Sequence, residues 1–127
     1  MKNKYMLDSS AWIEYFKGSV VGEKVNDVIE KEEILICTLS IAEISDKFAR
    51  EKEDFEKFLV FIKNVSAIID ITISSCSESG KLKMERRKVK KEFSLADAII
   101  YLTAKENSCI LMTKDRDFED MKDIVII

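Results

Sequence analysis

Five short apolar runs punctuate the chain: residues 4–7 (KYML), 34–39 (ILICTL), 67–71 (AIIDI), 108–113 (SCILMT) and 123–127 (DIVII). Each is too short for a helix and too continuously apolar for a strand with one wet face. That is the pattern of strands buried on both sides of a parallel sheet. Between the runs, apolar residues fall at helical spacing, as in Trp12, Tyr15 and Phe16, then Ile41, Ile44 and Phe48, then Phe55, Phe58, Leu59, Ile62 and Val65. Ser9 or Ser10 is placed to cap the first helix and Gly18 to end it. Ser74 to Lys91 reads as a polar helix with few apolar anchors, and Ser94 opens a more buried one through Lys105. The alternation predicts an α/β fold, a mainly parallel sheet of about five strands covered on both faces by right-handed crossovers.

With 127 residues, 46% of them apolar, 3 Gly and no Pro, residues 1–127 are expected to form one ordered domain. No apolar run approaches the roughly 18 residues of a membrane span, and Asp8 interrupts the N-terminus before a signal-peptide core develops. A soluble, cytoplasmic protein is expected. Cys37, Cys76 and Cys109 are odd in number and widely spaced, which points to reduced, mostly buried thiols. Histidine is absent, which removes His-based triads and most zinc hydrolase chemistry. Carboxylates, lysines and metal-bound water remain as proton acceptors.

Four carboxylates follow apolar segments: Asp8 in YMLDSS, Glu43 in LSIAEI, Asp97 in SLADAII and Asp115 in ILMTKD. Ser40-x-x-Glu43 and Ser94-x-x-Asp97 each have the form of a capping box, in which the acid reaches back to a free backbone N–H. Asp8 and Asp115 stand where buried strands end, and an unpaired buried carboxylate costs several kcal/mol. Asp117 and Asp120 follow closely, so spacing alone leaves open which of these acids points inward; Asp115, first after the strand, is the one chosen. In a parallel sheet all four share one edge, where open α/β folds bind ligands. Carboxylates clustered without Arg or Lys repel, and oxygen-only ligation suits Mg²⁺ or Mn²⁺. Such an ion acidifies bound water without a histidine base, and the chemistry that follows is phosphodiester hydrolysis.

MLDSSAWIEYF, LSIAEI, SLADAIIYLTA and ILMTKDRDF, in that order over nearly the whole chain, resemble the PIN-domain nucleases, particularly VapC-like toxins of toxin–antitoxin pairs. The resemblance implies a three-layer α/β/α sandwich and a Mg²⁺- or Mn²⁺-dependent ribonuclease active on RNA, single-stranded or structured. It further implies an antitoxin partner, which an amphipathic helix seated near the early helices would satisfy, and frequent homodimers. Carried over to this sequence, it makes Asp8, Glu43, Asp97 and Asp115 the catalytic acids. Asp8, Asp97 and Asp115 are then the metal ligands, with Ser9 or Ser10, Thr113 and Asp117 supporting them.

Net charge is −3, yet residues 81–91 (KLKMERRKVKK) carry seven basic residues and one acid. Lys81, Lys83, Arg86, Arg87, Lys88, Lys90 and Lys91 form either a solvated helix face or a patch for RNA phosphates. Two other readings stay open: a non-catalytic interaction module of the same fold, and a receiver-type phosphoacceptor. A receiver wants paired acids after its first strand and an acceptor after its third. Here Asp8 is followed by serines, and Asp70 reads as lying inside its strand.

Overall fold

All five expected strands form, and every pairing among them is parallel. The computed structural model describes residues 2–127. In chain order these are β1 (Lys4–Leu7), α1 (Ser9–Lys17), α2 (Val20–Lys31), β2 (Glu33–Cys37), α3 (Thr38–Arg50), α4 (Glu56–Val65) and β3 (Ala67–Ile69). There follow α5 (Ile73–Arg86), α6 (Leu95–Glu106), β4 (Ile110–Thr113), a 3-10 turn (Arg116–Phe118) and β5 (Ile124–Ile126). Among the described residues no helix is long and apolar enough to cross a membrane.

The strand order is β3-β2-β1-β4-β5. The chain steps outward from β1 through β2 to β3, then returns across the sheet to β4 and β5. Right-handed crossovers running in opposite directions place their helices on opposite faces. Period-two alternation along the strands records this. Met6, Leu35, Cys37 and Leu111 join a core with Phe93, Ala98, Ile100, Ala104 and Phe118, beneath α5 and α6. Leu7, Ile34, Ile36 and Met112 join the other, with Ala11, Trp12, Val25, Ile44, Phe48 and Ile62 from α1 to α4. The result is the expected three-layer α/β/α sandwich, with four helices on one face and two on the other.

On the larger side, Trp12 of α1 is core, and Tyr15 and Phe16, partly buried, pack against it. Phe16 lies 4.5 Å from Phe58 between ring centroids, Tyr15 stacks on Phe61 at 5.4 Å, and Phe48 lies 4.9 Å from Phe58. Cys37 and Cys109 are buried, whereas Cys76 is exposed on the polar α5.

Three of the boundaries that differ from the sequence reading bear on function. β2 stops at Cys37 because its ladder partners run out there: β1 pairs only to Leu35, and β3 pairs Cys37 with Ile69. Thr38 and Leu39, strand-like in side chain, therefore begin α3. β3 ends at Ile69, so Asp70 lies just past the strand rather than within it. That strand is at the sheet edge, separated from β1 by β2. A receiver-like order would place the third strand beside the first, so this arrangement removes the phosphoacceptor reading. α5 ends at Arg86, and 87–91 are turns rather than helix.

The turn from α1 to α2 is tight. Gly18, at φ 67°, ends α1 in the left-handed region and directs its N–H to the carbonyls of Glu14 and Tyr15. Gly22 then lets α2 cross close: a Cβ there would lie 2.3 Å from the Glu14 carbonyl oxygen. Because that neighbour is backbone, Gly22→Ala forces the helices apart. The expected loss is about 1–3 kcal/mol in urea unfolding; an unchanged midpoint contradicts the close approach.

Candidate active site

Outside the carboxyl ends of β1 and β4 the strand order reverses, and there the acids gather. Asp8 follows β1 and is only 6% exposed. It caps α1 itself, in place of Ser9 or Ser10: its Oδ1 accepts the Ala11 N–H at 3.0 Å and the Ser10 hydroxyl at 2.6 Å. Its Oδ2 accepts the Thr113 hydroxyl at 2.5 Å. The two hydroxyls in turn accept from the segment after β4, Ser10 Oγ from the Lys114 N–H at 2.9 Å and Thr113 Oγ1 from the Asp115 N–H at 3.0 Å. A buried carboxyl thus ties the end of β1 to the end of β4. Burial pushes the Asp8 carboxyl up; the Ser10 and Thr113 hydroxyls and the Ala11 N–H oppose it, and Asp115 adds to it.

Asp115 caps the 3-10 turn, its Oδ1 accepting the Asp117 N–H at 2.8 Å. This bond sets Asp115 and Asp117 side by side. Asp97 reaches them from the first turn of α6, where the capping box forms as the sequence predicts. Ser94 Oγ accepts the Asp97 N–H at 3.0 Å and Asp97 Oδ2 accepts the Ser94 N–H at 2.9 Å. One carboxylate oxygen from each of Asp97, Asp115 and Asp117 lies within 4.8 Å of the other two. Burial raises the Asp97 carboxyl, and repulsion from Asp115 and Asp117 adds to the rise. Asp117 is raised in the same sense, by burial and then by Asp115.

The matching box at Ser40 does not form. Because α3 starts at Thr38 with Cys37 as its cap, Ser40 lies inside the helix, fully buried, its hydroxyl without a partner. Glu43 is thereby released from capping. It is half-buried, and its Oε1 is sealed from solvent with no hydrogen-bond partner. Burial raises this carboxyl as well; Ser9 opposes the rise, while Asp8 and Asp97 reinforce it.

Among the described residues, no ion pair involves Asp8, Glu43, Asp97, Asp115 or Asp117. Their donors are all carboxylate oxygens, three of them convergent, and one further buried oxygen is orphaned. That donor set fits a hard divalent cation such as Mg²⁺ or Mn²⁺. Asp8, expected among the ligands, lies outside this trio, its Oδ1 accepting two hydrogen bonds and its Oδ2 one. Asp117, expected only in support, stands inside it.

The sequence profile of the PIN domain matches residues 5–124. The chain belongs to the PIN-domain family. Comparison with curated protein sequences gives no match. Solved structures share the fold. A toxin–antitoxin complex from Klebsiella pneumoniae superposes with a TM-score of 0.73 at 21% identity, covering 95% of each chain. VapBC2 from Rickettsia felis, bound to a DNA fragment from its promoter, gives 0.74 at 18% identity, covering 98% of this chain and 97% of its own. The Mycobacterium tuberculosis toxin VapC20, described as cleaving the sarcin–ricin loop, gives 0.72 at 13% identity over 93% and 95%.

In this PIN domain the basic segment is partly committed elsewhere. Arg86 donates to both carboxylate oxygens of Asp120, Arg87 Nε to the Phe93 carbonyl at 2.8 Å, and Lys90 to Glu119 at 2.8 Å. These three, expected to face RNA, are held by the fold because the chain turns back at 87–91 rather than extending as helix. Lys81, Lys83, Lys88 and Lys91 form no ion pair among the described residues.

The raised Asp97 carboxyl has a consequence for stability. A carboxyl whose folded pKa is raised contributes stability below its unfolded value and loses it as pH rises through the folded value. In the presence of chelator, Asp97→Asn should therefore melt above the unaltered chain near neutral pH. The margin should close at about pH 3, where both carry a neutral group. A margin equal at both pH values in thermal melts contradicts the crowding of Asp97.

Proposed function

We propose that this PIN domain is a divalent-metal-dependent ribonuclease that hydrolyses phosphodiester bonds of single-stranded RNA, and that it acts as the toxin of a toxin–antitoxin pair. The observation carrying this reading is the convergence of Asp97, Asp115 and Asp117, none of them in an ion pair among the described residues, with the Glu43 carboxyl close enough to feel Asp97. Asp97, Asp115 and Asp117 are the residues that would hold Mg²⁺ or Mn²⁺. When bound, such an ion acidifies water and neutralises charge developing on a phosphodiester.

The protein's own groups supply the rest. Glu43, whose half-buried carboxyl is raised by burial and by Asp8 and Asp97, takes the proton of the attacking water. Asp8 braces the segment after β4 through Thr113 and Ser10. Lys81, Lys83, Lys88 and Lys91 draw the RNA backbone toward the sheet edge. A partner antitoxin and a second copy of the chain are the proteins expected to bind. Support for the antitoxin comes from the Klebsiella pneumoniae relative, described as a toxin–antitoxin complex. An apolar groove lined by Ile13, Phe16, Phe48 and Phe58, and flanked by Lys17, Lys47, Glu51 and Glu53, suits an amphipathic segment.

The test is Mn²⁺-dependent cleavage of a fluorescent single-stranded RNA, with and without chelator. Asp97→Asn is expected to keep the fold and lose cleavage by about 10²–10³-fold; full cleavage by this variant sinks the assignment. Lys88→Glu with Lys91→Glu should weaken RNA binding and reduce the salt slope by about 0.7 for each phosphate no longer neutralised. Unchanged binding leaves that segment a solvated face.

A further inference from the structure

Arg86 is the least expected member of the basic segment. Its side chain is only 12% exposed, and its Nε is buried without a partner. The guanidinium lies over the Phe93 ring at 5.5 Å. It donates through Nη1 and Nη2 to both oxygens of Asp120, at 3.0 and 2.7 Å, and through Nη2 to the Asp117 backbone carbonyl at 2.6 Å. Phe93 packs edge-on against Phe118 at 5.4 Å, and Lys90 holds Glu119. Residues 117–120 are therefore gripped from α5 and the turn after it, while Asp115 holds the Asp117 N–H from the other side.

We infer that Arg86 is a positioning residue for the acid cluster: by clamping the Asp117 carbonyl and Asp120, it holds the Asp117 carboxylate against its repulsion from Asp97 and Asp115. A planar fork suits this task because it fixes two acceptors at once, whereas a lysine at the same place fixes one. The segment from Asp115 to Asp120 has no strand of its own to stiffen it. Without the clamp, like-charge repulsion would swing Asp117 outward. This inference rests on the reading of Asp97, Asp115 and Asp117 as a cation site.

The sign of the effect separates positioning from plain electrostatics. Removing a positive charge beside three carboxylates raises their affinity for a cation by Coulomb's law alone. Loss of the clamp lowers it.

The experiment is calorimetric titration of the full chain with Mn²⁺ in the absence of RNA, alongside thermal melts. Arg86→Gln is expected to weaken Mn²⁺ binding by about tenfold, in the range seen when groups supporting metal ligands are removed. Asp120→Ala, at an exposed position, should weaken it in the same sense. The double variant should be no weaker than the weaker single one, since both remove one interaction. Lys105→Gln, which breaks the distant pair with Asp123, serves as the stability control and should leave affinity unchanged.

Unchanged or tighter Mn²⁺ binding in Arg86→Gln overturns the clamp. If that variant does not fold, unchanged binding in Asp120→Ala overturns it. Should Asp97→Asn bind Mn²⁺ as the unaltered protein does, the cation-site reading fails and the clamp with it. Weakened binding in Asp97→Asn with no change in Arg86→Gln removes the clamp alone.

Discussion

Two like charges about 4 Å apart repel by about 4 kcal/mol at an effective dielectric of 20, and this protein brings three carboxylates to within 4.8 Å of one another. A fold free to relax would separate them. They stay together because each is fixed by a backbone bond that cannot be made elsewhere: Asp97 by its capping box on α6, Asp117 by Asp115, and Asp115 by the Thr113 hydroxyl. Under the proposed function, a charge of the opposite sign would find its ligands already arranged.

The sheet makes this possible. Because the chain reverses direction across β1, the ends of β1 and β4 lie side by side, and a crevice opens at that reversal. Asp8 fills the floor of that opening, and hydrogen bonds to both of its carboxyl oxygens offset the cost of its burial. Pre-organisation of this kind is what metal-assisted hydrolysis requires, since ligands that must first be collected weaken the ion they hold.

Much of this is legible in the sequence, for identifiable reasons. The strands announce themselves because central parallel strands are apolar on both faces, and the Ser94–Asp97 box announces itself because its geometry is local. The Ser40–Glu43 echo misleads because strand length depends on the ladder partner: β3 is three residues long and ends β2 at Cys37, which no property of Thr38 or Leu39 reveals. That shift turns Glu43 from a cap into an acid with an unused oxygen. Spacing leaves Asp117 undecided because its direction depends on a 3-10 turn. Arg86 reads as a surface cation because its partner Asp120 lies 34 residues further along the chain.

A crystal structure of the protein soaked in Mn²⁺, with anomalous scattering recorded at the manganese edge, tests the central claim most directly. The expected result is an anomalous peak bonded to carboxylate oxygens of Asp97, Asp115 and Asp117, with Asp8 still bound to Ser10 and Thr113. Saturating Mn²⁺ that leaves this trio empty, or that binds elsewhere on the acidic surface, contradicts it.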